Sequence, residues 1–203
     1  MSRLSLLRAT AYRRVRWKNN GGWTTEIARD PDGDAADFRW RVSIADIESD
    51  GPFSSFPGVD RDLLLLAGNG IELDIDEAAP LRLNERFQRV HFAGESHVDC
   101  RLLAGPTRDF NVMARRDSVH ADVLVRPLVG SMVIFPEAGT EWLIYVVSGH
   151  VAAKGEDEIA ASDGESVRID FRDGGGARIV LDGGGELVLV KFAADAVPTA
   201  STW

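Results

Sequence analysis

The sequence predicts an all-β chain made of two similar β-barrel units with little helix. Three observations predict it. Short apolar runs follow one another between turn residues, and no stretch carries a long, capped helical period. The same strand–turn grammar also occurs twice in the same order.

Taken in order, the runs fall at 23–28, 38–45, 63–67, 71–75, 89–92, 100–103, 109–115, 119–126, 132–135, 142–147, 151–153, 166–170, 177–181 and 187–192. They are rich in Val, Ile, Leu and aromatic residues and are bounded by Gly, Pro, Asp and Asn. Many short strands at such spacing indicate a sandwich or barrel. In the repeat, Asp62-Leu-Leu-Leu-Leu-Ala-Gly68-Asn-Gly70-Ile-Glu-Leu answers to Trp142-Leu-Ile-Tyr-Val-Val-Ser-Gly149-His-Val-Ala-Ala, each read as strand, glycine hairpin turn, strand. Gly94-Glu-Ser-His-Val is matched with Gly164-Glu-Ser-Val-Arg. The strand around Asn111 is matched with that around Val188, Asn111 lying over Val188. Residues 1–120 are read as the first barrel and 121–203 as a second, degenerate one, with N-terminal strands shared between them. The loop 51–60 has only Pro136-Glu-Ala-Gly-Thr-Glu as its counterpart, so the polar features gather in the first unit and the second reads as scaffold.

At 203 residues, 44% hydrophobic and 27% charged, the chain has the composition of an ordinary globular protein able to bury a core. A net charge of −9 argues against phosphate-backbone binding, so no nucleic-acid partner is expected. Arg13-Arg14-Val-Arg16-Trp-Lys18 is read as the solvated face of an early strand. Cys100 is the only cysteine and lies in an apolar strand pattern, as a small buried side chain would. The start lacks the apolar run of a signal peptide, and no stretch has membrane-spanning length. A cytoplasmic protein without a membrane partner is expected, and the apolar second unit is compatible with a homodimer.

Three polar blocks could carry chemistry. The first is the loop and strand 51–70, in which Arg61 stands at the foot of a buried strand. A structural ion pair with Asp60, Asp62 or Glu26 is one use for it. Bidentate capture of a carboxylate by its planar fork is the other. The second block is Trp17-Lys-Asn-Asn-Gly-Gly-Trp-Thr-Thr-Glu-Ile-Ala28. Its Asn-Asn-Gly-Gly turn tolerates φ > 0 and close backbone approach, and Thr24 and Glu26 share one strand face. It lacks the Gly-x-x-x-x-Gly-Lys-Ser/Thr pattern of a phosphate loop. In the third block, Arg39, Arg41 and Ser43 alternate with Trp40, Val42 and Ile44, giving one polar, basic face and one apolar face.

The grammar of strand, glycine turn and strand resembles the cupin barrel, whose enzymes hold a metal through histidines and a glutamate. Laid on that pattern, Arg61 takes the glutamate position, Ser55 and Pro57 fall near the first histidines, and Thr107 takes the last one. These are not a transition-metal ligand set. His91, His97, His120 and His150 form no His-x-His or His-x-x-x-His pair and are read as surface or hairpin residues. No metal and no cofactor are expected.

Together the three blocks, with Gly105-Pro-Thr-Arg-Asp-Phe-Asn-Val-Met113, resemble the HutD/Ves family across the first two-thirds of the chain. The chain departs from the family at Trp23, where the family reads glycine, so that edge is expected to be reshaped. The resemblance implies a two-cupin fold without catalytic metal and a regulatory, non-enzymatic role in bacterial histidine utilisation. The implied ligand is a small carboxylate such as N-formylglutamate or urocanate. It also implies a pocket formed by Asn19, Thr24, Glu26, Arg41, Ser43, Ser54, Arg61 and Asn111. The competing reading is a metal-independent enzyme on a related acid with Glu26 as general base. A carboxylate facing an arginine is held in its charged form, which makes it a poor base.

Overall fold

The computed structural model describes residues 3–33, 37–174 and 176–194. Sixteen strands and one short 3-10 turn at Ala9–Ala11 account for its regular structure. In chain order the strands are β1 (Arg3–Leu7), β2 (Arg13–Arg16), β3 (Gly22–Asp30), β4 (Trp40–Ile47), β5 (Gly51–Pro52), β6 (Val59–Ala67), β7 (Ile71–Ile75) and β8 (Leu81–Leu83). There follow β9 (Arg89–Ala93), β10 (Val98–Leu102), β11 (Thr107–Arg115), β12 (Val119–Ile134), β13 (Thr140–Lys154), β14 (Glu158–Ser162), β15 (Ser166–Asp170) and β16 (Ile179–Ala194).

The first unit pairs a six-stranded sheet, β2-β3-β4-β11-β6-β9, with a four-stranded one, β5-β10-β7-β8. The second unit is a single sheet, β1-β15-β13-β16-β12, with β14 also paired to β13. The two strand orders correspond. The orders β4-β11-β6-β9 and β5-β10-β7-β8 are both repeated by the long strands β12-β16-β13, which continue to β15 at one end and to β14 at the other. None of the three sheets closes on itself among the described residues, so the barrels expected from the sequence are open pairs of layers. β1 adds to the edge of the second unit through β15, whereas β2 and β3 extend the first.

The long strands explain where the expected turns differ. Residues 142–147 and 151–153 are one strand, as are 119–126 and 132–135, and 177–181 and 187–192, apart from residues at their ends. Gly149 sits at the corner of β13 with φ +92°, where an added Cβ would lie 2.0 Å from the Gly184 carbonyl oxygen. Glycines meeting at this crossing let the sheet fold over without losing its ladder. In the first unit the same corner breaks the strand. β6 and β7 belong to different sheets, so Gly68-Asn-Gly70 is a corner between layers and not the expected hairpin. The proposed match of Gly94 with Gly164 does not hold, because Gly94 follows β9 whereas Gly164 precedes β15, the counterpart of β9.

Among the described residues the three larger hydrophobic clusters follow from strand alternation, beside a small one of Phe38, Val59 and Met113. Ile47, Leu63, Leu65, Ile71, Leu73 and Phe92 fill the space between the layers of the first unit. Leu187 and Leu189, with Ile144, Val167, Ile169 and Phe171, fill the second. Trp40, Val42, Ile44, Phe110 and Val112 present the opposite face of the first unit's large sheet to Val188, Val190 and Phe192 of the second. Val188 therefore points into the inter-unit core and is not the counterpart of the inward Asn111. With a side-chain period of two, a one-residue slip in the match exchanges the faces.

Candidate functional site

A cavity of about 780 Å³ opens between the layers of the first unit. Its floor is set by register. On β11, Asp109, Asn111 and Met113 share the inward face. β4 places Ala45, Ser43 and Arg41 beside them in that order, and β6 places Leu65, Leu63 and Arg61 on the other side. β3 brings Thr24 opposite Ala45 and Glu26 opposite Ser43, and its register shift between Glu26 and Ala28 turns Ile27 and Ala28 to the inter-unit core. The expected alternation of Arg41 and Ser43 against Trp40, Val42 and Ile44 is present as read.

All eight residues named from the sequence line this one cavity. Ser43, Arg61 and Asn111 are buried at its base, Thr24, Glu26 and Arg41 stand half-buried along the wall, and Asn19 and Ser54 are exposed at the rim. Asn19 is occupied in its own turn, its Oδ1 accepting from the Gly21 amide at 2.9 Å. In that turn the positive φ is carried by Asn20 rather than by the glycines. Gly22 is needed for space instead, since a Cβ there would meet the Asp46 carbonyl oxygen at 2.4 Å and the Trp17 ring at 3.2 Å. The Trp17 indole N–H donates to Thr24 Oγ1 at 2.8 Å. Trp23 lies against the guanidinium groups of Arg14 and Arg16, 4.8 and 4.9 Å from their central carbons.

Arg61 is 5% exposed, and the acids that could have neutralised it are engaged elsewhere. Asp60 pairs with Arg116 at 2.7 Å, Asp62 with Arg89 and His91, and Glu26 with Arg41 at 2.5 Å. No nitrogen of Arg61 comes within 4.0 Å of a carboxylate oxygen among the described residues. Its hydrogen bonds are long, 3.4 Å to the Ser54 carbonyl and 3.5 Å to Asn111 Oδ1, and its Nε has no partner. Three rings surround the guanidinium, with Phe92, Phe53 and Phe56 centroids at 4.9, 5.4 and 5.7 Å. Such a cage attracts a cation without satisfying its N–H groups. Burial pulls the arginine pKa down to about 10, against the opposing field of Asp109 and with a further lowering by Arg41.

Asp109 is the main residue that the sequence reading missed. It is 1% exposed, and burial pushes its carboxyl up to about 7, opposed by Arg61 and assisted by Asp46. Its Oδ1 has no hydrogen-bond partner. The available signal was parity, since Asp109 precedes Asn111 by two residues on the same strand. The run 13–18 is the largely exposed face of the early strand β2 and the turn after it, as expected. Arg14 is paired with Asp46, and Arg13, Arg16 and Lys18 also reach the cavity rim. With Arg29, Arg41 and Arg61, six cationic side chains line a space holding two carboxylates, Glu26 and Asp109. On a chain of net charge −9 this concentrates positive potential in one cleft.

The metal-pattern positions do not converge. Thr107 is buried with its hydroxyl donating to the Gly70 carbonyl at 3.2 Å, and it does not line the cavity. No group of three or more His, Cys, Asp or Glu side chains is placed to hold a metal ion among the described residues. Cys100 is buried as expected, its thiol pushed up to about 12 by burial and by the fields of Asp109 and Asp50. No helix of the described residues is long and apolar enough to cross a membrane.

An all-β, cupin-like fold with a cation-lined cleft between two layers defines the class. Within it the chain belongs to the HutD family, whose model matches residues 9–189. It is 39% identical over 173 residues to a 21.2 kDa Pseudomonas putida protein in the hutC 3′ region, covering 85% of this chain and 86% of that one. Over 110 residues it is 43% identical to protein Ves of Citrobacter koseri, 54% of this chain and 56% of that protein. Among solved structures it is similar to HutD from Pseudomonas fluorescens SBW25, determined in a formate condition, with TM-score 0.82, 33% identity and coverage of 96% and 100%. YhhW from Escherichia coli shares the fold alone, with TM-score 0.71 at 11% identity over 96% and 99% of the two chains. The family is associated with the histidine-utilisation locus.

Proposed function

We propose that this protein is a non-enzymatic binder of a small carboxylate, with Arg61 as the anion anchor, acting as a regulator in histidine utilisation. The observation that carries the reading is a buried guanidinium with long hydrogen bonds and no acid within ion-pair distance, opening into a cation-lined cavity. Burying a charge is costly unless it is paired, and a planar carboxylate supplies a bidentate partner of the right sign. Asn111, Ser43 and Thr24 stand around it as polar groups that could orient the ligand. N-formylglutamate and urocanate, intermediates of the pathway to which the family is tied, are the ligands of choice.

The enzymatic alternative with Glu26 as base finds less support, because Glu26 is held at 2.5 Å by Arg41 Nε. Thermal melts with formate, N-formylglutamate, urocanate and glutamate test the reading. Stabilisation by at least one of the four, lost in Arg61→Ala, is the expected result. A wild-type protein indifferent to all four, or an Arg61→Ala variant that responds as strongly, would sink it.

A further inference from the structure

We propose that the cavity takes up a proton together with its carboxylate, Asp109 serving as the neutral acid that donates a hydrogen bond to the anion held by Arg61. The proposal rests on the reading of the cavity as a carboxylate site and names what controls binding there. Asp109 lines the cavity on the same strand face as Asn111, together with Arg61, is 1% exposed, and has a buried Oδ1 without a hydrogen-bond partner. An ionised Asp109 would set a second negative charge against the incoming carboxylate in a place where water cannot screen it. A protonated Asp109 instead supplies the donor that a carboxylate needs beside an arginine.

The charge balance is simple. Without ligand, an ionised Asp109 offsets the field of Arg61. With ligand, the carboxylate takes over that role and Asp109 accepts one proton from solvent, with no other bond made or broken. Two groups on neighbouring strands act on Asp109, Arg61 from β6 and Asp46 from β4, and the field of Asp109 in turn reaches Cys100 on β10. Arg41 from β4 and Glu26 from β3, paired with each other, are further charged groups lining the same cavity. Arg61, at about 10, and Cys100, at about 12, titrate well above the range in which Asp109, at about 7, changes charge.

The test uses formate, which remains an anion throughout the range. Its dissociation constant is measured from about pH 6 to about pH 9, and its binding heat at about pH 8 is measured in two buffers of different ionisation enthalpy. The expected wild-type result is an affinity that is flat on the acid side and weakens by up to about tenfold per pH unit above Asp109's titration, with uptake approaching one proton. Asp109→Asn should abolish both the slope and the uptake. A wild type that binds formate with no slope and no buffer-dependent heat overturns the inference alone, as does a slope that survives in Asp109→Asn. If formate does not bind, the same two measurements are made with whichever of N-formylglutamate, urocanate and glutamate does. No binding of any of the four at any pH overturns the carboxylate reading and this inference with it. The wild-type calorimetry decides the matter even if the variant folds poorly.

Discussion

Arg61 keeps its charge through burial, enclosed by three phenylalanines and bonded only at 3.4 and 3.5 Å. Lysine cannot reproduce the planar fork, so Arg61→Lys should bind carboxylates at least about tenfold more weakly while melting within a few degrees of wild type. Equal affinity in isothermal titration would mean that charge alone suffices. Asp109 adds a pH dependence to stability. Its folded-state carboxyl, at about 7, lies above the ordinary unfolded value, so the folded state binds the extra proton between the two. Stability from this group is present at acid pH and is lost as the pH rises through about 7, by on the order of a few kcal/mol. Urea denaturation from about pH 5 to about pH 8 should show a decline in wild type that is flatter in Asp109→Asn; parallel profiles would contradict the assignment.

The strands themselves were legible at this scale, though their ends and continuity were not. Alternation in 38–45 predicts one polar, basic face and one apolar face, and the packing of β4 decides their directions, with Arg41 and Ser43 on the cavity and Trp40, Val42 and Ile44 in the inter-unit core. The sequence predicts a glycine turn at 149 and a break between the runs 177–181 and 187–192, whereas at both places glycine permits a fold-over within one strand. A local sequence signals the backbone freedom but not whether the ladder survives the corner, which the partner strand decides. Gly149→Ala is expected to be severe, because φ is +92° and the new methyl would meet the Gly184 carbonyl oxygen at 2.0 Å. A loss of about 3 kcal/mol or more, or an insoluble product, is anticipated. Gly139→Ala, at φ +78° with nothing near its added Cβ, should cost only the backbone strain of about 1–2 kcal/mol. Similar denaturation midpoints for the two variants would show that the close approach does not matter.

The two units are joined by an apolar core with polar edges. Trp40 stacks on Phe192 with ring centroids 4.3 Å apart, and its indole N–H donates to Glu141 at 3.1 Å. Glu141 in turn accepts from Arg168, which approaches Asp30 at 3.7 Å, while Arg86 reaches Glu186 at 2.7 Å on another face. Because this core uses the back of the same sheet that carries the cavity, the units should unfold together. Calorimetry should give one transition with matching calorimetric and van't Hoff enthalpies, and Phe192→Ala should lower it as a whole by about 3–5 kcal/mol. Two resolved transitions, with only one moved by the substitution, would show the units to be independent.

The sequence by itself determined the all-β class, the twofold strand grammar, the family, and the eight polar positions that the fold gathers around one cavity. Those features depend on side-chain period, turn residues and long motif matches, which are local in the chain. Tertiary structure decided what Arg61 is. Each acid beside it in sequence or proposed as its partner is paired elsewhere, and the nearby field of opposite sign comes from Asp109 on β11. It also decided that burial raises the Asp109 carboxyl and that the basic run 13–18 reaches the cavity rim. Burial and the distance between strands remote in sequence set these, and neither quantity is written in any one segment.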